Sequence, residues 1–219
     1  MRVNRLILFT FACLLVAATS GFAADNWTPL FNGKDLAGWQ HVGPGSFTVE
    51  NGMLVSHGGM GLLWYPKRKF GNCVLRVVYK AAPKANSGVF IQIPLPPKDP
   101  WDAVNSGYEV QILEQSDYPS FNEYHRTGAL YSISKAGTYP SSPDGWNTME
   151  ITMVGFQVVV RINGVTVDEY DPSNPVPRRK YWYEPRRGPR PEVGYVGVQN
   201  HNEESRVLFK EVSVRPLSD

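Results

Sequence analysis

The stretch GYEVQILE, residues 107–114, sets a carboxylate and an amide two residues apart on a segment otherwise suited to a buried strand. Side chains two apart along a strand share a face. Tyr108, Val110 and Ile112 therefore point one way, and Glu109, Gln111 and Leu113 the other. SGVFIQI repeats the device, with Val89, Ile91 and Ile93 opposing Phe90 and Gln92. In YVGVQNH, Val196 and Val198 oppose Gly197, Gln199 and His201. If the three strands are near neighbours, their second faces form a polar floor of amides with one carboxylate and one imidazole. The outer face of a sheet is often simply solvated, but such faces favour Lys, Thr and Glu over glutamines beside a histidine. Planar amides both donate and accept, which suits hydroxyl-rich ligands, and aromatic rings pack on the C–H face of a sugar. Trp64, Tyr131, Trp182 and Tyr183 are candidate platforms, although each also fits core or loop packing.

Other chemistry-bearing groups are more scattered. Tyr124-His125-Arg126 precedes a candidate strand, in a loop of the kind that commonly presents catalytic groups. The four histidines, His41, His57, His125 and His201, have none of the short spacings of a structural zinc site, and a looser site using His201 and a carboxylate stays open. There is no G-x-S-x-G elbow and no P-loop. Glu109, Glu114 and Asp117 could supply a glycosidase pair, but parity sends Glu114 to the face opposite Glu109 or past the strand end.

The elements that must position these groups are short runs of period-two alternation divided by Gly, Pro, Asn and Asp. SFTVENGMLVSH and QVVVRINGVTVDEY each centre on Asn-Gly, a signal for tight type I′ hairpins. Further strands are expected in GLLWY, CVLRVVYKA, SGVFIQI, GYEVQIL, GALYSIS, TMEITMV, GYVGVQN and VLFKEVSV. No segment offers twelve residues of helical periodicity, and no internal repeat is visible. The pattern predicts an all-β antiparallel sandwich of jelly-roll type. Residues 171–193 break it, because DPSNPVPRRKYWYEPRRGPRPEV carries six prolines, five arginines and three consecutive aromatics. Prolines exclude this segment from a central strand. It reads either as a stiff strap over the sheet or as a lid on a site.

The chain opens with Arg2 and Arg5, an apolar run to Ala18, and small residues around Ala23. That is the pattern of a secretory signal peptide over residues 1–24, too short for a comfortable membrane span. Cys13 lies in a poor lipobox, so cleavage near Ala23 or Ala24 is expected rather than lipidation. The product would be a single domain over residues 25–219, secreted or periplasmic. Losing Arg2 and Arg5 cancels the formal charge of +2, so bulk charge points to neither a nucleic-acid nor an acidic partner. Cys73, in an apolar run, is expected to be buried and inert.

WTPLFNGKDLAGW, NSGVFIQI, GYEVQILE, HRTGALYS, GWNTMEIT, RINGVTVDEY and VGVQNHNEESRVLFKEVSVRPL occur in that order. Together they resemble the bacterial DUF1080 family, described as a 3-keto-disaccharide hydrolase or 3-keto-glucoside lyase domain, from about Trp27 to Leu217. The resemblance implies a concanavalin-like jelly roll. It also implies a carbohydrate substrate whose C3 ketone acidifies the C2 hydrogen. A base removes that proton, the C1 substituent is eliminated, and water can then add to complete net hydrolysis. For that reaction Glu109 is the candidate base, with His201 or His125 as alternatives. Asn86, Gln92, Gln111 and Gln199 are candidates for positioning hydroxyls or the enolate, and Tyr131 or His125 for protonating the leaving group. Trp182 would offer a stacking surface. The resemblance fixes no particular cofactor, and a divalent metal ion could replace the donors at the enolate. The KYWYEPRRGPRP segment resembles a variant loop found in part of the family. A non-catalytic lectin-like module and an ordinary glycosidase are the competing readings.

Overall fold

The computed structural model describes residues 26–113 and 122–217. The proposed leader, Glu114 and Asp117 lie outside the described residues. Among those described, thirteen strands follow in chain order: β1 (Thr28–Pro29), β2 (Gln40–Val42), β3 (Ser46–Glu50), β4 (Met53–His57), β5 (Gly61–Trp64), β6 (Cys73–Ala81), β7 (Asn86–Ile93), β8 (Tyr108–Leu113), β9 (Asn147–Val154), β10 (Gln157–Ile162), β11 (Val165–Tyr170), β12 (Tyr195–Asn200) and β13 (Val207–Pro216). A helix, α1 (Pro100–Ser106), stands between β7 and β8. An eight-stranded sheet runs β11-β10-β9-β6-β13-β4-β3, with β1 also paired to β13. A five-stranded sheet runs β2-β5-β12-β7-β8. The pairings are antiparallel, as a jelly-roll sandwich requires.

Alternation explains the layers. Leu75, Val77 and Tyr79 of β6, with Met149, Ile151 and Met153 of β9, face Val89, Ile91, Val110, Ile112, Val196 and Val198 of the smaller sheet in one core. Each fully buried aliphatic side chain there stabilises the fold by about 1.5–3 kcal/mol. Cys73 joins this core, and burial pushes its thiol up to about 11. Both Asn-Gly turns form as expected, with positive φ at Asn51, Gly52, Asn163 and Gly164.

Two expectations fail. The segment GALYSIS does not become a strand. Residues 128–131 lie along the β8 edge with one isolated bridge, Val110 to Leu130, and then turn away. Gln92 is the second case. Its φ is 53° and the β7–β12 register shifts beside it, so the strand bulges and parity breaks there. Ile93 consequently joins Phe90 on the outer face, while Gln92 donates from Nε2 to the Gly155 carbonyl at 3.3 Å. The helix α1 is too short for periodicity to register; Asp99 caps it through the Asp102 N–H and Pro100 begins it.

Candidate active site

Cross-strand register assembles the floor. On the outer face of the five-stranded sheet, Glu109 of β8 pairs with Phe90 of β7, Gln111 with Gly88, and Leu113 with Asn86. On the other side of β7, β12 pairs Gly197 with Phe90 and Val198 with Val89. Continuing that register sets Gln199 across from Gly88 and His201 across from Asn86. Directly opposed residues share a face, so amides, carboxyl and imidazole converge. One end of the same face is apolar, where α1 covers Leu62, Trp64, Phe90 and Ile93 with Ala103 and Val104. The other end is open and polar.

The chain after residue 121 closes the far side. Gln111 donates its N–H to Ala129 O, Gly128 to Gln111 O and Tyr131 to Glu109 O, each at 2.9 Å. This ladder satisfies the free β8 edge and lays Tyr131 beside Glu109. His125 follows a tight turn in which Asn122 Oδ1 accepts from the Tyr124 N–H. Its ring lies 5.1 Å from that of Tyr131, and its Nε2 is 3.0 Å from Ser132 Oγ. Arg126 points away and donates to the Ala136 carbonyl.

The resulting pocket has a volume of about 350 Å³ and draws its polar lining from Asn86, Glu109, Gln111, His125, Tyr131, Gln199 and His201. Trp101, Val104 and Tyr183 supply apolar walls. Of the residues singled out from the sequence, Gln92 is not brought here, for the bulge reason above. Trp182 stands at the rim rather than in the lining, with its ring 5.1 Å from that of Trp101. Trp64 is buried beneath, edge-on to Tyr195. Sequence reasoning missed Trp101, whose only signal was the Asp-Pro start of a very short helix.

Glu109 is electrostatically unusual. Surrounding protein atoms push its carboxyl up to about 8, with no cationic partner among the described residues to oppose the shift. Gln111, with its amide nitrogen turned toward its acceptors, donates to Glu109 Oε1 and to Ser87 O, both at 3.2 Å. The carboxyl fits only because residue 88 is glycine, since a Cβ there would stand 2.4 Å from Glu109 Oε1. Burial lowers the His201 pKa and keeps that ring neutral near pH 7. Gln199 Oε1 and His201 Nδ1 are buried without a hydrogen-bond partner, a cost tolerated where a ligand supplies the missing bond. Among the described residues, no three His, Cys, Asp or Glu side chains are grouped closely enough to hold a metal ion.

A second, larger hollow of about 580 Å³ lies between the 133–137 turn and β11, beside Asp168. Asp168 is buried too, but it accepts from Leu130 N at 3.1 Å and from Ser134 Oγ at 2.6 Å. Those donors hold its carboxyl at about 6 against the upward push of burial. Its oxygens are engaged in fastening the turn that follows Tyr131.

The sequence profile of the 3-keto-alpha-glucoside-1,2-lyase-like domain matches residues 26–215. Among solved structures, a candidate glycosyl hydrolase of Parabacteroides distasonis ATCC 8503 is 24% identical, with a TM-score of 0.71 over 88% of this chain and 100% of that one. A Bacillus subtilis protein of unknown function with a galectin-like fold is 14% identical, with a TM-score of 0.62 over 86% and 94%. A carbohydrate-binding module from the same organism is 13% identical, with a TM-score of 0.52 over 81% and 95%. At these identities the likeness is one of fold. Among curated proteins none matches the chain.

Proposed function

The chain belongs to the 3-keto-alpha-glucoside-1,2-lyase-like domain family, and from that premise we propose that it is an exported enzyme cleaving 3-keto-glycosides. The observation that carries this reading is the Glu109 carboxyl, raised to about 8 and short of donors, in a pocket otherwise built for hydroxyls. A partly desolvated carboxyl with a pKa near working pH suits general base catalysis. In this scheme ionised Glu109 takes the C2 proton, and the electron pair left on C2 delocalises onto the C3 oxygen as an enolate. The enolate collapses to restore the C3 ketone and form the C1–C2 double bond, while the C1–O bond breaks. The leaving oxygen takes a proton from Tyr131 or His125. Water then adds across C1–C2, hydroxyl to C1 and proton to C2, giving the 3-keto sugar. Gln111, Gln199 and Asn86 hold hydroxyls and the enolate oxygen, a role planar amides perform well.

An ordinary glycosidase needs two carboxylates about 5–9.5 Å apart across one cleft. Among the described residues, Glu109 is the one carboxylate in the lining. The nearby Glu184 accepts from the Lys180 N–H and pairs with Arg187 at 3.1 Å. Purified protein incubated with a 3-keto-glucoside and, separately, with the unoxidised glucoside tests the proposal. Turnover of the keto substrate alone, lost in Glu109→Gln, is expected. Binding of plain glycan with turnover of neither would instead make the protein a lectin-like module. Export rests on the basic and apolar start of the chain, and N-terminal sequencing of the secreted form should begin near Asp25.

A further inference from the structure

The pocket, at about 350 Å³, lies near the small end of the ~300–1,000 Å³ range for small-molecule sites, with room for a sugar ring and part of what it carries at C1. What stands outside is aromatic. Trp101 and Tyr183 line the pocket wall, and Trp182 touches both, at 5.1 Å and 5.9 Å between ring centroids. Tyr181 stacks on Tyr183 at 5.2 Å with planes 5° apart. Trp182 is 73% exposed, the largest exposure among the big hydrophobic side chains, and Tyr181 is 54% exposed. Exposed rings grouped beside a pocket mark a binding surface more readily than a packing one.

The backbone that carries the rings is pinned by arginines. Arg179 donates to the carbonyls of Glu184 and Trp182, and Arg187 to that of Pro177. Arg190 reaches across to Gly107 O at 2.8 Å, with its guanidinium over the Tyr108 ring. The arginine-rich segment is thus a stapled strap. A backbone fastened before a ligand arrives lowers the ordering cost of binding.

We propose that Trp101 and Trp182, continued by Tyr183 and Tyr181, form a leaving-group subsite that stacks the flat face of a ring-bearing aglycone while the oxidised ring occupies the pocket. This rests on the cleavage reaction proposed above and adds the class of substituent at C1. A second sugar and an aryl group offer the same flat apolar face, so the test separates them. Substrates oxidised at C3 and carrying phenyl, glucosyl or methyl leaving groups are compared by kcat/KM in the wild type and in Trp182→Ala. Intrinsic leaving ability cancels when the ring-to-methyl ratio is compared between the two proteins. In Trp182→Ala the ratio should fall about tenfold, the scale of one aromatic contact, for whichever ring type the subsite takes. Trp146→Ala, at an exposed tryptophan outside the pocket lining, should keep the wild-type ratio. An unchanged ratio in Trp182→Ala for both ring types overturns the proposal.

Should the wild type turn over none of these substrates, the reaction reading fails while the subsite remains testable by tryptophan fluorescence with unoxidised phenyl glucosides. Saturable quenching that disappears in Trp182→Ala supports it. Quenching that persists in the variant, or none in the wild type, overturns it.

Discussion

Two carboxyls, half-buried Glu109 and buried Asp168, sit on opposite sides of the same short segment and differ in the donors they meet. Both are pushed upward by burial, to about 8 and about 6. Asp168 has a main-chain N–H and a hydroxyl on its oxygens, while Glu109 has the Gln111 amide. Hydrogen bonds to the charged form favour it, so the better-served group is held lower. Asp168 lines the larger hollow and Glu109 the smaller. The larger hollow therefore holds the better-served carboxyl, and the smaller one the carboxyl with fewer donors. The two are also connected, because Asp168 anchors Leu130, the residue before Tyr131, which faces Glu109.

The sharpest way to break this comparison is to neutralise each carboxyl in turn. Glu109→Gln should lower kcat/KM toward a 3-keto-glucoside by about 10²–10⁴-fold, the usual contribution of a general base. An activity within a few-fold of wild type would remove Glu109 from that role. Next in size is Gly88→Ala, which drives the carboxyl off its seat. Misplacement by an ångström commonly costs about 10²-fold, and circular dichroism should show the fold retained. Asp168→Asn should act chiefly on stability, by about 1–3 kcal/mol in chemical denaturation, because Leu130 N and Ser134 Oγ use different carboxylate oxygens and an amide replaces one of them with an NH2 that cannot accept. Its activity should fall far less than that of Glu109→Gln, and the reverse order would invert the assignment of the two groups.

Smaller effects appear in pH dependence. Activity requiring ionised Glu109 should rise with pH through about 8 in kcat/KM, and that limb should persist in Asp168→Asn. A flat profile across that range would contradict a base with this pKa. Stability runs the other way. The folded pKa of Glu109 lies above its unfolded value near 4.5. The contribution is complete below the unfolded value and drains away as pH rises through about 8. Calorimetry should therefore find the melting temperature of Glu109→Gln gaining on wild type between pH 5 and pH 9.

Much of this was legible in the sequence. Alternation in β8 and β12 set Glu109, Gln111, Gln199 and His201 on one side and the valines on the other, and the Asn-Gly pairs fixed two hairpins. Parity is local, carried by the pleat itself, and survives until the backbone departs from it. It departed at Gln92, where a bulge that no alternation rule announces turned the amide from the floor to the Gly155 carbonyl. GALYSIS misled for a related reason. Its residues suit a strand, yet the Asp168 carboxylate captures Leu130 N and Ser134 Oγ and bends the chain after a single bridge.

The sequence by itself determined the sandwich, its hairpins and which side chains share a face, because a period of two is a property of each strand alone. Only the tertiary structure decided that Gly88 leaves room for the Glu109 carboxyl, that Trp101 meets Trp182, and that burial without a cation lifts Glu109 while donors hold Asp168 down. Desolvation and donor placement depend on atoms brought from distant parts of the chain, and these become neighbours only when the two sheets and the strap close together.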